Sequence, residues 1–160
     1  MPQESDAVSG PLVVLLVDDE PQIRKLLRSC LLQQQVYRVF TASSGEEALD
    51  VSRQCDQKID ILITDIEMAK INGLALYQHI RGERPETAVL FISGTADGQS
   101  LPGFPLLAKP FRLQDFVVAV AEVLSTHSGA ATRKGRVSAA ALRTSNHPMS
   151  AYRSTHSVSI

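Results

Sequence analysis

Residues 12–20, LVVLLVDDE, hold six aliphatic residues in a row and then three acids. A run that is apolar at every position is typical of a strand buried on both faces, as in a parallel sheet covered by helices. Pro21 suits the first turn of a helix, and the apolar residues after it recur with helical spacing: Ile23, Leu26, Leu27, Cys30 and Leu31. The stretch therefore predicts a buried strand followed by an amphipathic helix.

The same alternation continues along the chain. Further strands are predicted at residues 37–41, 59–64, 88–92 and 105–108, and further helices at about 45–54, 74–80 and 113–124. Ser44 and Glu47 form a capping-box pattern at the start of the second helix. Alternating strands and helices with short connections predict an α/β fold, a doubly wound five-stranded parallel sheet of the flavodoxin-like type.

Length and charge divide the chain into a body and a tail. A chain of 160 residues with 44% hydrophobic residues suits one domain, which we place at residues 11–125 after a flexible N-terminus at 1–10. Residues 1–124 carry 11 basic and 17 acidic side chains, whereas 125–160 carry five basic and none that is acidic. Residues 126–160 are rich in Ser, Thr and Ala, so a disordered tail is predicted, with a short helix around 137–143.

Cysteine usage and hydropathy bear on the compartment. Cys30 and Cys55 lie in predicted helical segments without a metal-binding spacing, so we expect reduced, buried thiols. The apolar run at 12–17 is too short to span a bilayer, and the first ten residues lack the pattern of a signal peptide. A cytoplasmic protein without membrane contact is expected. The basic tail is only a weak signal for nucleic acid, which we do not expect as a partner.

Acids, a hydroxyl and an amine stand where the predicted strands end. Asp18 and Asp19 follow the first strand, Asp65 the third and Ser93 the fourth, and Lys109 follows the fifth. Ligands of such sheets bind outside the carboxyl ends of the strands. Converging carboxylates suit Mg²⁺, and a carboxylate in that field can attack phosphorus while an ammonium and a hydroxyl neutralise the phosphoryl oxygens. An Asp pair before Glu-Pro could instead serve only as acids at a helix N-terminus.

Four segments, in order and with similar spacing, carry a resemblance to a known family. LLVDDEP, LITDIEM followed by NG, FISG and LAKPF lie within residues 12–124. Together they resemble the CheY-like receiver domain of two-component response regulators. Each segment alone would be weak, because an Asp at a strand end or a Lys-Pro pair is common in loops.

The resemblance implies a role for each matching residue. Asp65 matches the phospho-acceptor, and Asp18 and Asp19 match the acids that hold Mg²⁺ together with it. Glu67 matches the position whose backbone carbonyl is a further metal ligand and whose side chain tunes dephosphorylation. The polar groups that face the phosphoryl oxygens correspond to Ser93 and Lys109.

The function implied is that of a single-domain response regulator in a phosphorelay. It would take a phosphoryl group from a sensor histidine kinase or a histidine phosphotransfer protein and signal by binding a downstream protein. It would be no enzyme beyond promoting its own phosphorylation and dephosphorylation.

Two departures from the family concern signal output. Leu106 stands where the family usually has an aromatic residue three positions before the lysine. The segment between Ser93 and Lys109 is short and rich in Gly and Pro, so a shortened fourth helix is expected between the last two strands.

These departures leave a second function open, a pseudo-receiver that binds a partner constitutively without phosphorylation. A remote third option is a phosphatase of the dehalogenase-like class. Such an enzyme also uses an Asp nucleophile with an acid two residues later, as in Asp65 and Glu67, but its cap region and later motifs are missing from this sequence.

Overall fold

The computed structural model describes residues 10–94 and 101–128, and within them five strands alternate with four helices. Their bounds are β1 Leu12–Val17, α1 Pro21–Leu32, β2 Tyr37–Ala42, α2 Gly45–Gln54, β3 Ile61–Asp65, α3 Gly73–Glu83, β4 Ala88–Ser93, β5 Leu106–Ala108 and α4 Leu113–Ser128. Of the flexible N-terminus predicted at 1–10, residues 1–9 lie outside the described residues, as do residues 129–160 of the disordered tail predicted at 126–160 and the helix predicted around 137–143.

The five strands form one parallel sheet in the order β2-β1-β3-β4-β5. The sheet has β1 and β3 at its centre, and both strands are buried over nearly their whole length. Strand order reverses between β1 and β3, and this reversal opens a crevice at the carboxyl ends of the two strands. The predicted doubly wound α/β fold is confirmed.

Helices cover both faces of the sheet. On one face α1 and α4 pack against alternate strand residues such as Leu16, Ile63 and Leu90. On the other face α2 and α3 pack against the intervening residues such as Leu15 and Leu62. The three inner strands, β1, β3 and β4, thus bury both of their faces, which is why their sequences are almost continuously apolar instead of alternating.

Most element bounds match the sequence prediction within two residues, and the largest difference is at the C-terminus of α4. This helix was predicted to end at Leu124 but continues to Ser128, so the first three residues of the predicted tail are helical. The Thr126 hydroxyl donates to the Glu122 and Val123 carbonyls at 3.0 Å, and the His127 ring lies 3.0 Å from the Glu86 carbonyl. Hydrophobic spacing could not predict these polar contacts.

The connection between β4 and β5 is not helical in its described residues, Gly94 and 101–105. Phe104, near its end, places its ring edge-on to Tyr77 and Phe91, with ring centroids 5.6 and 5.8 Å away. Leu106 is half-buried beside the same cluster. An aromatic side chain therefore packs on this face of the sheet from a position two residues before the one that the family usually uses.

Phe111, just before α4, is buried and stacks on Phe116. Gly82 lies inside α3, which continues to Glu83. Cys55 is buried at the C-cap of α2 and Cys30 is half-buried in α1, and both are free thiols.

Within the described ranges, 10–94 and 101–128, no helix combines the length and the apolar character that crossing a bilayer requires.

Candidate functional site

Four strands deliver the predicted site residues to one edge of the sheet. Asp18 follows β1, Asp65 ends β3, Ser93 ends β4 and Lys109 follows β5. The parallel register aligns these ends, with Asp65 opposite Ile92 and Ser93 opposite Ala108. Residues separated by up to 91 positions in sequence therefore meet at one place because their strands end at the same level.

Three carboxylates converge at this edge. Asp18, Asp19 and Asp65 each offer an oxygen, and these oxygens all lie within 4.8 Å of one another. Asp18 and Asp65 are buried, whereas Asp19 is exposed. Three negative charges at this spacing repel each other unless a cation lies between them.

The hydrogen bonding of the Asp18 carboxylate indicates whether a metal ion suits the site. Its Oδ1 accepts from the Glu20 backbone N–H at 2.8 Å, whereas its Oδ2 is buried and has no hydrogen-bond partner among the described residues. A buried acceptor without a partner is costly, and a cation held by the three carboxylates would satisfy it. The oxygen-only donor set fits Mg²⁺, with Asp18, Asp19 and Asp65 as the side chains that would hold it.

Lys109 reaches the central carboxylate of the cluster. Its Nζ lies 3.1 Å from Asp65 Oδ2 and 3.6 Å from Glu20 Oε1. The other oxygen, Asp65 Oδ1, accepts from the Glu67 backbone N–H at 3.0 Å. The Lys109 backbone N–H donates to the Ser93 carbonyl at 2.7 Å, which ties the chain after β5 to the end of β4.

Burial and charge shift the pKa values at this edge. Burial raises the pKa of Asp18 to about 6, against the lowering effect of its hydrogen bond from Glu20 and of the Lys109 charge. Burial also raises the pKa of Asp65, although the hydrogen bond from Lys109 acts in the opposite direction. For Lys109, burial lowers the pKa, but the hydrogen bond to Asp65 and the surrounding acids outweigh it and leave it raised. Lys109 is therefore a cation at neutral pH.

Glu67 turns its side chain towards β4. Its Oε1 accepts from the Ser93 hydroxyl at 2.9 Å, and its Oε2 accepts from the Gly94 backbone N–H at 3.1 Å. Although Glu67 is exposed overall, its carboxylate joins the loop after β3 to the end of β4. All the residues predicted from the sequence for this site lie at the same edge. The role of the Glu67 backbone carbonyl as a metal ligand stays a prediction.

The sequence interpretation gave no site role to Glu20, Gly94 or Gly73. Glu20 lies near Lys109. In the sequence, only its position directly after the Asp pair could have indicated a place at the site. Gly94 contributes a backbone N–H, which no side-chain pattern can reveal. Gly73, at the start of α3, allows the helix to approach β3 so closely that an added Cβ would lie 2.2 Å from the Asp65 carbonyl oxygen.

Comparison with known proteins agrees with this geometry. The family model described as the response regulator receiver domain matches residues 14–121. Sensor kinase CckA of Brucella abortus (strain 2308) is 33% identical over 128 residues, which cover 76% of this chain and 13% of that protein. The matched region covers 29–50% of the length of four curated transcriptional regulators that resemble this chain.

Solved structures share the fold over nearly their full length. The receiver domain of the hybrid histidine kinase CckA is 33% identical with a TM-score of 0.60, covering 70% of this chain and 98% of that one. The response regulator protein TrrA of Thermotoga maritima, crystallised with Mg²⁺ and BeF, is 30% identical with a TM-score of 0.60 and the same coverage.

Proposed function

The chain belongs to the response regulator receiver domain family, and from this premise we propose that Asp65 accepts a phosphoryl group in the presence of Mg²⁺. Receiver domains are signalling domains of two-component systems. Phosphorylation on an Asp residue with Mg²⁺ is general to the family, and the proposal assigns it to one residue of this chain.

One observation carries the proposal, the ion pair of 3.1 Å between Lys109 Nζ and Asp65 Oδ2 beside Asp18 and Asp19. Asp65 Oδ would attack phosphorus, forming an acyl phosphate while the bond from phosphorus to the donor's imidazole nitrogen breaks. Lys109 balances negative charge that grows on the phosphoryl oxygens, and Ser93 can donate its hydroxyl to one of them. Mg²⁺, when bound, would neutralise the carboxylates and the incoming phosphoryl group.

The proposal extends to partners by the chemistry of the site. A phosphohistidine on a histidine kinase or phosphotransfer protein would supply the phosphoryl group. The receiver would then pass the signal by contact with a downstream protein.

The test is chemical labelling with a small phosphodonor. With acetyl phosphate and Mg²⁺, wild type should gain one phosphoryl group by intact-mass spectrometry, and chelation of Mg²⁺ should abolish the gain. Asp65→Asn should gain none, because an amide oxygen is a poor nucleophile. Asp50→Asn is the matched control, since Asp50 is 69% exposed on α2, away from the site, and should label like wild type.

Two outcomes would count against the proposal. Equal labelling of Asp65→Asn and wild type would place the acceptor elsewhere. If wild type takes no label and binds no beryllofluoride with Mg²⁺, the constitutive binding module becomes the better assignment.

A further inference from the structure

Glu67 holds two donors at the end of β4 with one carboxylate. The Ser93 hydroxyl donates to Oε1 at 2.9 Å and the Gly94 N–H donates to Oε2 at 3.1 Å. A phosphoryl group on Asp65 would also present anionic oxygens next to these donors. A hydroxyl has a single proton to donate, so Ser93 cannot serve both anions fully at once.

We propose that Glu67 is an internal competitor of the phosphoryl group: its carboxylate occupies Ser93 and Gly94 before phosphorylation and is displaced when Asp65 carries phosphate. This inference rests on the proposed function and adds to it a residue that sets how tightly the phosphoryl group is held. It gives the Glu67 side chain a role separate from metal binding.

The backbone of Glu67 explains how such competition can work. Its N–H donates to Asp65 Oδ1 at 3.0 Å, so the main chain stays beside the acceptor. Its side chain lies at the exposed rim of the site, so the carboxylate can rotate into solvent and regain hydration when a stronger anion arrives. Displacement therefore requires a side-chain rotation and no change in the fold.

The negative charge of Glu67 would also weaken phosphoryl binding by electrostatic repulsion. The experiment must therefore separate this repulsion from competition for the hydrogen-bond donors. Glu20 supplies the comparison, because its carboxylate lies at the same edge, 3.6 Å from Lys109 Nζ. No hydrogen bond between Glu20 and Ser93 is present among the described contacts. Removing either acid removes one negative charge, but only Glu67 releases the Ser93 hydroxyl.

The experiment is a double-mutant cycle on the affinity for beryllofluoride with saturating Mg²⁺. Glu67→Ala should tighten binding about tenfold in the wild-type background, the order expected for a hydrogen bond between a neutral donor and a charged acceptor. In the Ser93→Ala background the gain should fall to about threefold, because the Ser93 hydroxyl is no longer there to be released, whereas the Gly94 N–H still is. Glu20→Ala should change affinity by the same factor in both backgrounds.

A ligand-free measurement checks the contact itself. In the NMR spectrum of the protein without Mg²⁺ or beryllofluoride, Glu67→Ala should move the Gly94 amide proton upfield, because its charged acceptor is gone. Glu20→Ala should leave that resonance in place.

The outcomes distinguish this inference from the function on which it rests. If wild type binds beryllofluoride but the gain from Glu67→Ala is absent, or equal in both Ser93 backgrounds, the competitor role is overturned and the receiver function stands. If wild type binds no beryllofluoride, both are overturned.

Discussion

Asp18 is a buried carboxylic acid of the site, and its burial disfavours the ionised form. Its carboxyl group is wholly buried, and its pKa is raised to about 6 by that burial, from an ordinary value of 3.8. The folded state thus binds a proton more tightly than the unfolded state between these two values. Stability contributed by this group is present below pH 3.8 and is lost as pH rises through about 6.

Asp18→Asn should therefore stabilise the metal-free protein. At pH 7 without divalent cations, we expect the free energy of unfolding to rise by about 1–3 kcal/mol, since each unit of pKa shift corresponds to about 1.4 kcal/mol. The gain should shrink towards zero near pH 4, where the wild-type carboxyl is protonated in the folded state. Urea unfolding at the two pH values measures this difference.

Asp56→Asn provides the control for that prediction, because Asp56 is exposed in the loop after α2. Its substitution should change stability by no more than about 0.5 kcal/mol at either pH. A gain for Asp18→Asn that is the same at both pH values would argue against the burial of a charged carboxylate as its cause.

The sequence predicted which residues would meet at this edge better than it predicted their contacts. Asp18, Asp65 and Lys109 could be found because each follows an apolar run, and chain order placed those runs in one sheet. The hydrogen bond from Ser93 to Glu67 could not be found. It depends on the rotamer of an exposed glutamate and on the distance between two loops, neither of which leaves a periodic pattern.

At the scale of elements, the approach of α3 to β3 depends on a glycine. A Cβ on Gly73 would lie 2.2 Å from the Asp65 carbonyl oxygen, a backbone atom that cannot move without shifting the phospho-acceptor proposed here. Gly82, in the same helix, has nothing within 4 Å of its Cβ position. A close backbone contact therefore requires glycine at position 73, whereas the space around Gly82 would accept a side chain.

Alanine substitutions of these glycines should change stability in opposite directions. Gly73→Ala should lower the free energy of unfolding by about 2 kcal/mol or more, because the helix must move away from β3. Gly82→Ala should raise it by about 0.5–1 kcal/mol, because alanine has less conformational entropy to lose in a helix. Chemical denaturation of both variants tests the pair, and unchanged or increased stability of Gly73→Ala would contradict the close approach.

Helices and strands were predictable to the extent that their signals are local. The six-residue aliphatic run of β1 and the Ser44 cap of α2 appear as predicted, with Ser44 accepting from the Glu47 N–H. In the capping box, however, Glu47 accepts from Ser43 and not from the cap residue. The end of α4 was missed because side-chain contacts with Glu122 and Glu86 extend it past its last apolar residue.

At the scale of the molecule, the two hydrophobic clusters are built from residues 12–124. Truncation after Ser128 should therefore keep cooperative urea unfolding, with a free energy within about 0.5 kcal/mol of the full chain. Labelling of Asp65 should also persist. Loss of either would mean that residues beyond 128 contribute to the domain.

Truncation after Leu124 is the matched comparison. It removes the contacts of Thr126 with Glu122 and of His127 with the Glu86 carbonyl. We expect a cost of about 1 kcal/mol relative to truncation after Ser128, the net value of a typical hydrogen bond. Equal stability of the two truncated chains would show that the last turn of α4 contributes nothing.

The sequence by itself determined the fold class and the chemical groups available at the strand ends. Continuous apolar runs can be buried only between two layers, and the groups that follow them are set by covalent order. The tertiary structure alone decided which groups meet. Lys109 contacts Asp65 across 44 positions, and Glu67 contacts Ser93 across 26, because parallel strands in register bring distant residues together. Such distances depend on packing over the whole sheet, whereas sequence patterns report only neighbours along the chain.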